Sequence, residues 1–198
     1  MKKKSGLLAL VAVLILVIGF FFYGVSCYNG FVTMQEEVRT SWSQVENQYQ
    51  RRADLIPNLV NTVKGYAKHE KETLESVIQA RSQATAVKID PTNMTEEQLA
   101  NFHNSQNGLS QALGRLMVVV EKYPELKADA NFRDLQSQLE GTENRITVAR
   151  RDFNEVAKKY NTDIRRFPAA IVAGITGFKS FPYFKSNEGA EKAPEVQF

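Results

Sequence analysis

From Ser5 to Gln35 the chain carries no Asp, Glu, Lys, Arg or His, and Lys2-Lys3-Lys4 stand directly before that stretch. Its centre, Leu7 to Ser26, is built from Leu, Ala, Val, Ile and Phe, relieved only by Gly19, Gly24, Tyr23 and Ser26. A helix of about 20 such residues crosses the ~30 Å hydrocarbon core of a bilayer. The sequence therefore divides into a basic cytoplasmic N-terminus (1–6), a transmembrane helix (7–27) and a polar helical body. The three lysines on one side, with Glu36 and Glu37 as the first charges on the other, put the N-terminus inside by the positive-inside bias. The body is then expected outside the membrane, which for a bacterium means the periplasmic or extracellular side of the inner membrane. Gly24-Val25-Ser26-Cys27 offers a lipid-attachment alternative, but Gly24 stands where such signals usually carry Leu, so the permanent anchor is preferred.

Charge narrows what the body does. Formal net charge is +3 from 25 Lys+Arg against 22 Asp+Glu, and the three N-terminal lysines account for it. A neutral body without a basic face gives no footing for nucleic acid. One cysteine excludes an intrachain disulfide and a cysteine-rich zinc site.

Beyond the anchor, apolar residues recur at alternating gaps of three and four, the signature of a helix with one buried stripe. A first run reads Tyr28, Phe31, Gln35, Val38, Trp42, Val45, Tyr49. Pro57 lacks the N–H that a helix interior needs, so it predicts a break and the start of a second helix over about 58–87. Asp90-Pro91 marks a turn, and Thr95-Glu96-Glu97-Gln98 reads as a capping box opening a third helix, which Tyr123-Pro124 closes. Asn131 is the expected cap of a fourth and longest run, from Phe132 to Phe167. Four amphipathic runs on short links, with no strand-like alternation, predict an all-α fold. The expected architecture is a transmembrane helix followed by an antiparallel up-and-down four-helix bundle with long heptad-patterned helices.

That topology returns the chain to the bilayer at Phe167-Pro168. The apolar segment from Ala169 to Phe178 is too short to span. It either touches headgroups, with Lys179 and Lys185 interleaved among aromatics, or folds back over a bundle edge; the two readings carry equal weight. The bundle with this tail occupies 28–184, and 185–198, rich in Glu, Ala, Lys and Pro, reads as a flexible C-terminus.

Several blocks are specific enough to carry a resemblance. Arg51-Arg52-Ala53-Asp54-Leu55-Ile56-Pro57-Asn58-Leu59-Val60, Val63-Lys64-Gly65-Tyr66-Ala67 and His69-Glu70 come first. Ala80-Arg81, Tyr123-Pro124-Glu125-Leu126, Leu139-Glu140-Gly141-Thr142-Glu143-Asn144, Phe153-Asn154, Tyr160-Asn161 and Phe167-Pro168 follow in order. Together they resemble the LemA family over almost the whole chain. The resemblance implies a small bacterial membrane protein with one N-terminal membrane helix and a four-helix bundle. It implies no established enzymatic activity.

His69-Glu70 with Glu72 and Glu75 invites a metal reading, but Thr73 stands where a zinc hydrolase needs its second histidine. His69 is instead expected as a polar contact between helices. Arg51, Arg52 and Asp54, before Pro57 and Asn58, are expected at a membrane-distal tip, where Asp54 pairs with an arginine or the group docks a partner. Glu143 and Asn144 flank a seam position, where polar residues set register and partner choice. No catalytic, cofactor-binding or metal residues are assigned.

The expected function is a non-enzymatic, membrane-anchored scaffold or adaptor at the bacterial envelope. Its expected partners are the bilayer, further copies of itself and a membrane protein. The alternative is a periplasmic sensor that binds a small ligand in a cavity lined by Gln106, Glu143 and Asn144.

Overall fold

The computed structural model describes residues 2–67 and 69–185, with the side chains of residues 2–9 excepted. The expected flexible segment 185–198 therefore lies outside the described residues beyond Lys185, as do the side chains of Lys2, Lys3 and Lys4. Among the described residues six helices follow one another: α1 (Lys2–Tyr66), α2 (Lys71–Ala86), α3 (Glu96–Val120), α4 (Pro124–Ala128), α5 (Ala130–Asp163) and α6 (Ala169–Thr176). No strand occurs among the described residues, so the fold is all-α.

The chain separates into two compact units, one made of residues 1–40 and 155–181, the other of 41–154 and 182–198. In the first unit, the described part of the apolar stretch is long and apolar enough to cross a membrane. Its 18-residue window has a mean hydropathy of 2.6 and none of it is buried. Leu10 to Phe22 present their side chains outward, Leu16 at 72 % exposure. The same unit buries Phe31, Val38, Ala157, Tyr160 and Ile164. α6 ends at Gly177, whose φ of +80° suits a residue without Cβ; its N–H and that of Phe178 both bond the Ala173 carbonyl.

The second unit holds a core of Ile56, Leu59, Val63, Val77, Leu109, Leu116, Leu126 and Phe132. An aromatic cluster adds to it around Trp42, which is fully buried. Phe102 and Phe153 meet the indole edge-on at 5.4 and 5.7 Å, and Phe184 stacks on it at 6.0 Å. Each fully buried side chain of this size contributes about 1.5–3 kcal/mol. α3 opens as its sequence predicts: Thr95 Oγ1 accepts from Gln98 N–H, and Gln98 Oε1 accepts from Thr95 N–H.

Three boundaries differ from expectation, the simplest being the end of α5, which stops at Asp163 and not at Phe167. Pro57 does not break the chain; α1 passes through it and ends at Tyr66, and the turn falls between Tyr66 and Lys71. The 3-4 rhythm explains why, because it continues without slip from Val45 and Tyr49 through Arg52, Ile56, Leu59 and Val63. All of these are buried. The third difference is the cap of α5. Asp129 supplies it, with Oδ1 accepting from the Phe132 N–H at 2.9 Å. Asn131 lies inside the first turn, too late to cap it.

Candidate functional site

The polar groups of the second unit converge on Arg52. α1 places its side chain in the seam, where the residue is 2 % exposed. Arg52 Nη1 donates to Ser110 Oγ at 2.9 Å and to both carboxylate oxygens of Glu143 at 3.1 and 2.9 Å. Nη2 donates to the Gln106 carbonyl at 3.2 Å and to Gln106 Oε1 at 2.6 Å. Gln106 in turn donates through Nε2 to the Ala84 carbonyl at 3.0 Å. One guanidinium thus joins α1 to α3 and α5, and through Gln106 to α2. Its flat face lies 5.2 Å from the Tyr49 ring centroid, a cation–π distance. Burial holds the Tyr49 phenol above its ordinary pKa, with the Arg150 and Arg52 charges opposing.

The pair is asymmetric, since the Arg52 side chain is 3 % exposed and that of Glu143 is 52 % exposed. The cation is fixed by neutral acceptors inside the protein, and the carboxylate reaches it from the solvent side. A fork with its Nη groups already committed to Ser110, Gln106 and Glu143 holds helices in register.

A second polar contact accounts for Pro57. Proline at 57 leaves the carbonyl four residues earlier, on Ala53, without its helical donor. Arg81 Nε of α2 donates to that carbonyl at 2.7 Å. Arg81 therefore replaces the missing N–H, and α1 can bury both sides of its proline. At the end of α1, the Tyr66 hydroxyl donates to Asp129 Oδ2 at 3.0 Å, and the Tyr123 hydroxyl donates to Glu70 at 3.2 Å. The Phe132 N–H, with the Tyr66 hydroxyl, holds the Asp129 carboxyl below its usual pKa.

The tail after α6 is held by asparagines of α5. In the second unit, Asn154 Nδ2 donates to the Phe184 carbonyl and its Oδ1 accepts the Phe184 N–H, both at 2.9 Å. Arg150 lies over the Phe184 ring at 4.8 Å and donates to the Lys185 carbonyl. In the first unit, Asn161 makes the same pair of bonds to Phe181, both at 2.8 Å, beneath Tyr160.

The residues singled out by sequence are only partly brought together. Arg52 and Glu143 meet. Arg51 and Asp54 are exposed on α1, and Asp54 accepts from Gln50 at 2.7 Å, so the expected pairing with an arginine is not the one formed. Neither residue sits at a turn, because α1 continues past both. Pro57 and Asn58 are exposed one turn further on, where the Asn58 carbonyl accepts from Thr62. His69 is exposed in the turn after α1, and its neighbour Glu70 makes the cross-helix contact. Asn144 is exposed on a different cleft, of about 390 Å³, with Ser41, Gln44 and Gln48. Glu143 instead borders an apolar cleft of about 300 Å³ with Arg52, Leu113, Met117 and Leu139. Among the described residues, no group of three or more His, Cys, Asp or Glu is placed to hold a metal ion.

Arg52, Arg81, Asn154 and Asn161 all lie in blocks that carry the family resemblance, and the LemA family model matches residues 41–198. The chain belongs to the LemA family. Its LemA-family relatives include the magnetosome protein MamQ 2 of Paramagnetospirillum magneticum, 32% identical over 181 residues, covering 83% of this chain and 66% of the relative. The magnetosome protein MamQ of Magnetospirillum gryphiswaldense is 32% identical over 174 residues, covering 79% of this chain and 64% of the relative. Protein LemA of Metamycoplasma hominis is 26% identical over 175 residues, covering 88% of this chain and 76% of the relative. The chain spans just under two thirds of the length of the two magnetosome proteins.

Proposed function

We propose that this LemA-family chain is a membrane-anchored scaffold or adaptor that works by protein contacts and self-association at the bacterial envelope, without catalysis. The observation that carries the reading is the N-terminal apolar helix. Its 18-residue window stands wholly outside any protein core, which in water would be among the most costly surfaces a chain could present. A bilayer removes that cost. We place the N-terminus in the cytoplasm and the body on the far side of the inner membrane, on the strength of the three lysines at 2–4.

The body is assigned an antiparallel up-and-down four-helix bundle. In support, groups on α1, α2, α3 and α5 meet around Arg52 and Gln106. α1 and α2 are also tied by Arg81 on the Ala53 carbonyl. The polar seam residues are committed to holding helices together, which suits a rigid presenting surface. Two relatives are named as magnetosome proteins, and by analogy the chain is assigned to a larger assembly. The ligand-sensor alternative has less support, because Gln106 and Glu143 are engaged with Arg52 and Asn144 lies on another cleft.

Crosslinking in intact cells, with identification of what is captured, tests the proposal. Products of self with self, or self with one dominant membrane protein, are expected. A single monomeric species by native mass spectrometry in mild detergent, together with no specific crosslinked product, would overturn it.

A further inference from the structure

The first unit carries a second exposed apolar face. Phe167 is 84 % exposed and Ile175 79 %, with Ile171 between them at 43 %. Ile171 and Ile175 lie one turn apart on α6, and Phe167 stands in the turn just before the helix, ahead of its cap residue Pro168. The inward residues Val172 and Ala173 are buried, so α6 is already docked on its own unit and this stripe is what remains outside. At eight residues, or about 12 Å, α6 is far too short to cross a bilayer.

Its position is set by Phe178, just past the glycine that ends α6. That ring meets Tyr28 edge-on at 5.6 Å and Phe31 at 5.3 Å. Tyr28 lies two residues beyond Ser26, the last residue of the apolar stretch, which is about 3 Å along a helix axis. The C-terminal end of α6 is therefore held at the level where the apolar helix gives way to polar sequence. The flanks are cationic: Arg165, Arg166 and Lys179 are exposed, and among the described residues Arg166 pairs with the Asp163 carboxylate at 3.2 Å. No Asp or Glu occurs from Ile164 to Asn187. An apolar face with basic flanks, at the end of a membrane span, matches the chemistry of the headgroup–acyl boundary, more so where the lipids are anionic.

We propose that α6 and the turn before it form a second membrane contact, with Ile171 and Ile175 of the helix and the exposed Phe167 seated in the lipid interface beside the anchor. The proposal rests on the membrane-anchored reading above and adds a second point of attachment to it.

The test uses the full chain in vesicles of phosphatidylcholine and phosphatidylglycerol. Nitroxide labels are attached in a Cys27→Ser background at Ile175→Cys, at Phe21→Cys within the span, and at Gln83→Cys, an exposed position of α2. Collision with dissolved oxygen is compared with collision with a water-soluble nickel chelate. The Phe21 and Ile175 labels should favour oxygen several-fold over the Gln83 label, with Ile175 the shallower of the two. If Ile175 behaves like Gln83 while Phe21 remains in lipid, the second contact fails and the anchor stands. If Phe21 also behaves like Gln83, the anchored reading itself fails. Shielding of Ile175 from both reagents would mean protein cover, as by a second copy, and would overturn the lipid assignment.

Discussion

The Arg81 contact to the Ala53 carbonyl makes a quantitative prediction about Pro57. The carbonyl lies in a residue that is 3 % exposed, and its partner is a charged donor at 2.7 Å. Bonds to charged groups contribute about 1.5–3 kcal/mol, and leaving a buried acceptor unpaired costs about 1–3 kcal/mol. Arg81 is half-buried, so Arg81→Met should destabilise the second unit by about 2 kcal/mol, in the middle of those ranges. In a Pro57→Ala background the restored N–H of residue 57 reaches the same carbonyl, and Arg81→Met should then cost no more than about 0.5 kcal/mol. The coupling between the two sites is therefore about 1–2 kcal/mol. Urea unfolding of the full chain in mild detergent would measure it. Trp42 is the sole tryptophan, fully buried in the unit that contains residues 53, 57 and 81, and its fluorescence reports on that unit. With a slope of about 1–3 kcal/mol per molar urea, a 2 kcal/mol change moves the midpoint by roughly 1 M. Equal costs of Arg81→Met in the two backgrounds would refute the assignment of Arg81 as the substitute donor.

Two further outcomes follow from the burial of polar groups. Arg52→Met should destabilise by about 2–4 kcal/mol and Glu143→Gln by about 1 kcal/mol, because the first strands inward-facing Gln106 whereas water can reach the cation where Glu143 stood; in the same urea titration, a larger loss at Glu143 would contradict that order. The Tyr160 hydroxyl, fully buried, is pushed from its ordinary 10.0 up to about 12 by burial, with the Arg39 charge opposing. The raised pKa means the folded state holds its proton after the unfolded state has lost it. The associated stability is full below pH 10 and is lost as pH rises to 12, by about 2–3 kcal/mol. Tyr160→Phe should remove that slope from helicity-monitored stability, and an unchanged slope would rule Tyr160 out as its source.

The helical class and the capping box at Thr95 were legible because both follow from local spacing. Pro57 was misleading for an equally physical reason. Its local chemistry argues for a break, and the donor that repairs the break comes from Arg81, 24 positions along the chain. The stronger signal was the seam itself. Tyr49, Arg52, Ile56, Leu59 and Val63 keep the 3-4 rhythm across the proline, and taking Arg52 as the polar member of that series places it inside. Asp129 was the better cap candidate by position, since a cap must precede the first helical residue. Asn154 and Asn161 were visible as Phe-Asn and Tyr-Asn pairs one heptad apart. Their partners are main-chain groups of the non-helical segment after α6, 20 to 30 positions along the chain, and sequence does not announce such contacts.

The Asn154 contact separates two properties of the tail. Its amide binds the N–H and carbonyl of residue 184, groups that every residue but proline possesses. Placement of the backbone is thus indifferent to which side chain is there. The choice of phenylalanine is made elsewhere, by Trp42, Phe153 and the Arg150 guanidinium around the ring. A leucine or tyrosine at 184 would keep the alignment and change only the fit. Asn154→Asp would do the opposite: it trades the donor for an oxygen facing a carbonyl, so alignment is lost while the ring's recess is untouched. Alignment and side-chain preference can therefore drift independently among related chains, with the asparagine as the more restrictive of the two.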